Sequence, residues 1–199
     1  MTAHEQDLAL RAVGRNVFNF QLLEGCLKQL AQFQPVDGTA LEIRRKLGTR
    51  TERLSKSTLG SAIAGWLNLL DPIQPTTGLG DDLFDVTALI ALSVELTDDE
   101  RSRHAAALEN LLGERNTLVH AGLLSVDWTS PDVCRKLAAD LDAQNERIIK
   151  EIEFLRPILI EFRKVVNATS EIDWTAATTE TTKEVKEKHR SNRRPESET

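Results

Sequence analysis

The chain has no tyrosine, one methionine and two cysteines among 199 residues, and aromatic side chains make up 5% of it. So few thiols exclude a disulfide-stapled scaffold. Cys26 and Cys134 each lie beside leucines in helical patterns and read as buried, reduced thiols. No apolar run approaches membrane-spanning length. Met1–Leu10 is charged and lacks the apolar core of a signal peptide, so a cytoplasmic protein with no membrane attachment is expected. A basic excess is missing too. The net charge is −6, so no global field gathers nucleic acid, and any RNA contact must rest on a local patch. Strand-like alternation and internal repeats are absent. No acidic cluster reads as a metal site, because Asp98, Asp99 and Glu100 suit helix capping and dipole complementarity. Neither a metal nor another cofactor is expected.

What is present is helix. The length suits one domain with a core and an appendage. Val13, Val17, Phe20, Leu23, Leu27 and Leu30 recur at helical spacing over residues 5–33. Asp37-Gly38 marks a turn, followed by a short basic helix or loop through Leu47. Thr49 with Glu52 reads as a capping box opening a second long helix, with Leu54, Leu59, Ile63, Trp66 and Leu70 on its apolar side and Asp71-Pro72 as its stop. Residues 73–80 read as a loop, and 81–96, apolar on most sides, as a buried helix. Thr97 with Glu100 is another capping box, and its helix runs to Ala121 with Gly122 as the stop. Ser130-Pro131 opens the last helix, which reaches about Asn167, and Pro157 is expected to kink it. The fold class is all-α, a bundle of roughly four to five main helices. Residues 1–169 form the domain. Residues 170–199, rich in Thr, Glu and Lys, form a charged tail expected to be disordered. A solubilising role for that tail is favoured over an RNA-attracting arm around His189, Arg190, Arg193 and Arg194. Trp174 stands alone in it and has the apolar body to dock on the domain.

The helix after Thr97 carries the chemistry. On a helical wheel Leu108, Leu111, Leu112, Leu118 and Val119 form one apolar stripe, and Arg115 falls in its middle. Burying an unpaired guanidinium is costly, so Arg115 must meet a carboxylate, a bound anion or a symmetry-related surface. Asn116 and His120 stack on the flank of the stripe with Glu109, and Gly113 beside them leaves room for a backbone or a nucleotide. Five helical steps put Arg115 and His120 well over a right angle apart. A twofold dimer removes that difficulty if the helix packs near its own copy. His104 shares Arg115's side and reads as a plain surface or interface residue. Trp66 and Trp128 read as core or interface. Glu24 lies at the edge of the first helix's stripe, either as a partner for Arg115 or as an ordinary exposed residue.

Arg115-Asn116-Thr117-Leu118-Val119-His120 resembles the Arg-x4-His motif of the HEPN superfamily, in the form where Asn follows the Arg. The resemblance is sharp over these six residues and architectural over about 8–166. It implies a homodimer through the motif-bearing helix, with two motifs facing a shared cleft. It also implies a metal-independent endoribonuclease of toxin or phage-defence type, with an antitoxin or defence protein as a further partner. Arg115 and His120 would then be catalytic, Asn116 would join them, and Glu24 would support them. One departure is visible. A branch of the family carries a Tyr two residues after the His, where this chain has Gly122, so regulation by modification of that Tyr is not implied.

The chemistry fits the residue types. RNA brings its own nucleophile, the 2′-hydroxyl. A histidine takes or gives the proton, and a fixed arginine neutralises charge on the phosphorane. Arg44, Arg45, Lys46, Arg50, Arg53 and Lys56 form a basic stretch that reads either as a solvated helix start or as an RNA phosphate contact. The rivals to a nuclease are a non-catalytic HEPN-fold module binding nucleotides or proteins, and an unrelated helical scaffold in which Arg115 makes a buried ion pair.

Overall fold

A computed structural model of the chain describes residues 2–71 and 88–170. The protein is an all-α bundle. Its elements are α1 (Thr2–Ala31), β1 (Val36–Gly38), α2 (Ala40–Ser55), α3 (Leu59–Leu69), β2 (Ala88–Ile90), α4 (Asp98–Thr117), a π turn (Leu118–Gly122) and α5 (Pro131–Ser170). Among the described residues no helix is long and apolar enough to cross a membrane. The expected loop over 73–80, residues 81–87 of the expected buried helix, and Trp174, His189, Arg190, Arg193 and Arg194 lie outside the described residues.

Two long helices carry the frame. At the standard rise, α1 and α5 run to about 45 Å and 60 Å. Their contacts advance together along both chains, so they lie parallel. Asn16 Nδ2 donates to Leu141 O at 2.7 Å and to Gln144 Oε1 at 2.9 Å, and Asn19 Nδ2 donates to Asn145 Oδ1 at 2.7 Å. At the far end the Phe33 and Phe162 rings meet edge to face with centroids 5.2 Å apart. Asn16 is fully buried, and its bonds supply the partners that burial of an amide demands. Between these points Phe20, Leu23, Leu27 and Leu30 of α1 meet Leu141, Ile148, Leu155 and Leu159 of α5 in one core. Each such leucine contributes about 1.5–3 kcal/mol by leaving water.

α3 closes the core from another side through Leu59, Ala62, Ile63, Trp66 and Leu69. It crosses α1 closely, since a Cβ on Gly65 would stand 2.8 Å from Ala31 Cβ. α4 runs antiparallel to α3: Trp66 meets His104, and Leu112 lies over Gly60. Leu108 and Leu111 bring α4 into the core, joined by Leu118 of the π turn. Helix α5 continues through Pro157, whose ring removes one backbone donor from the ladder.

Three expectations are corrected. The capping box after α1 is Thr39 with Glu42, not Thr49 with Glu52. Thr49 and Glu52 sit inside α2, where no free helix N-terminus is left to cap. The expected single long helix is two, because Ser57 interrupts it and the Thr58 side chain accepts from Ser61 N to start α3. The third correction concerns 88–96. Ala88–Ile90 is a strand paired antiparallel with β1 in the register Val36↔Ile90, Asp37↔Leu89, Gly38↔Ala88, and no helix follows until α4. A short apolar run serves a buried strand as well as a buried helix, and periodicity cannot separate them. Asp37-Gly38 thus ends a strand, with Gly38 at φ 124° turning the chain into α2.

Candidate functional site at the end of α4

Thr97 positions α4. Its hydroxyl accepts from Glu100 N while Glu100 Oε2 accepts from Thr97 N at 2.9 Å, a closed capping box. The Thr97 backbone N–H, then the Thr97 hydroxyl donating to Oε2 at 2.7 Å, hold the Glu100 carboxyl below the usual range. Twenty residues of helix follow, and the chain then opens into the π turn Leu118–Gly122 rather than stopping at once. A Cβ on Gly122 would approach the Thr117 carbonyl oxygen to 3.0 Å. Glycine therefore lets the wide i→i+5 turn close.

Arg115 stands one turn before this opening. It is half-buried, and Nη1 donates to Asn116 Oδ1 at 3.3 Å. Among the described residues it meets no carboxylate, so the buried ion pair of the scaffold alternative is not found there. Glu24, considered as its partner, is paired with Lys28 at 2.8 Å on its own helix. His120 is exposed inside the π turn, and no hydrogen bond joins it to Arg115 or Asn116. The wide turn carries each residue through less than the α-helical 100° or so, which narrows the angle between Arg115 and His120 without closing it. Asn116 and Glu109 are exposed, and Gly113 faces open space. Val119 and Leu124 beside His120 are apolar yet 45% and 90% exposed.

The basic stretch divides. Arg50 is structural: its guanidinium donates to Gln32 O and Pro35 O at 3.1 Å each and to Gln34 O, tying off the carbonyls that follow α1. Desolvation, then the nearby Arg53, lowers its pKa from the ordinary value. Lys46 is held by Asp37 at 2.9 Å and Lys56 by Glu52 at 2.8 Å. Arg44, Arg45 and Arg53 remain exposed on α2.

His104 is corrected outright. It is 7% exposed, not a surface residue. Trp66 Nε1 donates to its Nε2 at 2.8 Å, and its Nδ1 lies 2.6 Å from Glu151 Oε2. Phe154 leans on the ring with centroids 4.5 Å apart. Sequence reasoning missed Glu151, and it missed Arg147, which pairs with Glu114 at 2.8 Å immediately before the motif Arg. A signal existed. Leu141, Gln144, Ile148, Glu151 and Leu155 alternate three and four residues apart, so Gln144 and Glu151 occupy stripe positions.

Cys26 and Cys134 are free thiols, and burial pushes Cys26 upward from the ordinary thiol value against the pull of Arg156 and Arg163. Among the described residues no group of His, Cys, Asp and Glu has a metal-site arrangement. Compared with known proteins, the chain matches no family model, no curated sequence and no solved structure.

Proposed function

We propose that the chain is a homodimeric, metal-independent endoribonuclease of the HEPN type, with Arg115 and His120 acting across a twofold axis. One observation carries the reading: a half-buried guanidinium on the core-facing side of α4 meets no carboxylate among the described residues. In this reading an anion or a second copy of the chain neutralises it, and an RNA phosphate at a dimer cleft supplies both. The exposed His120 stands in the adjoining turn, where a scissile phosphate can reach it.

In the reaction the 2′-oxygen loses its proton and bonds to phosphorus. The P–O5′ bond breaks, and the leaving oxygen takes a proton. The products are a 2′,3′-cyclic phosphate and a free 5′-hydroxyl. His120 moves the proton at one of these two steps. Arg115 neutralises the phosphorane, and Asn116, which already accepts from Arg115, keeps the guanidinium aimed. Arg44, Arg45 and Arg53 are the α2 cations free to hold flanking phosphates. A toxin or phage-defence role, cytoplasmic and restrained by a partner protein, belongs to the same proposal.

Digestion of end-labelled RNA tests it. Wild-type protein is expected to yield cyclic-phosphate ends with EDTA present, and His120→Ala to lose about 10²-fold or more in rate while staying folded. Cleavage that stops with EDTA, or continues in His120→Ala, contradicts the assignment. A second reading has an observation of its own. Val119 and Leu124, exposed beside His120, suit the face of a non-catalytic module of the same fold that binds a protein. Intact RNA with both versions favours it.

A further inference from the structure

Away from the motif, the crossing of α3, α4 and α5 holds a buried polar cluster whose hydrogen bonding admits one protonation pattern. An indole N–H donates and cannot accept. The 2.8 Å bond from Trp66 Nε1 to His104 Nε2 therefore requires a lone pair on that nitrogen. The ring proton sits on Nδ1, facing Glu151 Oε2 at 2.6 Å. On the ring a second proton can enter only at Nε2, where it would meet the indole N–H head on.

We infer that His104 is a proton-operated latch between α3 and α4, in which a proton on Nε2 and the Trp66 bond exclude each other. A proton from solvent joins Nε2, the Trp66 N–H loses its acceptor, and the indole is released from α4. The Nδ1 side still lies against Glu151, whose Oε2 is 2.6 Å away and has no hydrogen-bond partner among the described residues. Among the described residues, the charged groups one turn along α4 and α5 are paired elsewhere. On α4, Arg101 one turn earlier is paired with Asp71 at the end of α3. On α5, Arg147 one turn before Glu151 is paired with Glu114. Phe154 covers the ring and is itself 37% exposed. The coupling is reciprocal: whatever weakens the indole bond eases proton uptake by the same factor.

The test follows the Trp66 indole N–H by ¹H–¹⁵N spectroscopy on the full chain from about pH 8 to 5, with Trp66→Phe identifying the resonance. In wild type the resonance is expected to move reversibly with a single protonation. In His104→Gln, whose side-chain oxygen accepts the bond but does not titrate there, it is expected to stay at the bonded position. A resonance that holds still in wild type, or moves equally in His104→Gln, overturns the latch. Should that variant not fold, the ring ¹⁵N shifts of His104 in unaltered protein decide the matter. A proton on Nδ1 with a bare Nε2 at the alkaline end supports the latch, and the opposite tautomer removes it. Neither readout depends on RNA cleavage.

Discussion

Single side chains in this protein do work that their type alone does not announce. Arg50 lies in a run of cations that invites a nucleic-acid reading, yet its guanidinium is bonded to three backbone carbonyls after α1. Hydrogen bonds from charged groups are worth roughly 1.5–3 kcal/mol. Arg50→Ala is accordingly expected to lower unfolding free energy by about 1–3 kcal/mol in a urea titration. Replacing Arg44, Arg45 and Arg53 by Ala is expected to leave the midpoint in place, weaken RNA binding and flatten its salt dependence by about one unit of slope per lost phosphate contact. Equal stability losses from both sets would refute the division. His104 gives the same lesson. Its place on the core side of α4 was visible on the wheel, but its partners Trp66 and Glu151 lie 38 and 47 positions away in the chain (66 to 104 and 104 to 151). Single-helix geometry cannot bring them to it.

At the scale of elements, local chemistry was legible where the signal was local. Thr97 with Glu100 opened α4 as expected, as did Ser130-Pro131 for α5, because a cap and its partner sit within one turn. Thr39 with Glu42 carries the same local signature as Thr49 with Glu52. The deciding fact was the strand at Val36–Gly38, and that strand exists only through its pairing with Ala88–Ile90. The α4 cap has a measurable consequence. Thr97→Ala is expected to cost about 1 kcal/mol in thermal or denaturant unfolding. The capping carboxyls Glu42 and Glu100 are both held below their ordinary range, each by the backbone N–H of its cap threonine first. A depressed carboxyl stabilises the fold above its unfolded value, near 4.3 for Glu. That contribution is lost as pH falls through the lower, folded value. The stability difference between wild type and Glu100→Gln, which removes the titrating carboxylate, should therefore shrink in acid. A gap that is constant from neutral pH into that window would show that the Glu100 bond contributes nothing.

For the whole molecule, the all-α bundle was written in the apolar periodicity of α1, α4 and α5, and the parallel docking of α1 on α5 was not. That docking depends on buried amides such as Asn16 and Gln144 finding each other across the bundle. The motif shows the same limit. Its residues stood in the sequence, but among the described residues the Arg115 guanidinium bonds its neighbour Asn116, and His120 faces solvent. Two steric facts permit a shared site: the open space at Gly113 and the wide turn that Gly122 allows. A cleft completed by a second copy follows as a proposal about assembly, and it has a direct test. Arg115→Ala and His120→Ala proteins, each inactive alone, are mixed under conditions that exchange subunits, and cleavage of labelled RNA is measured. If the site joins Arg115 of one protomer to His120 of its partner, half the dimers become mixed and each keeps one intact site of two. The mixture should regain about a quarter of wild-type activity. A mixture of exchanging dimers as inactive as its parents would contradict the shared site.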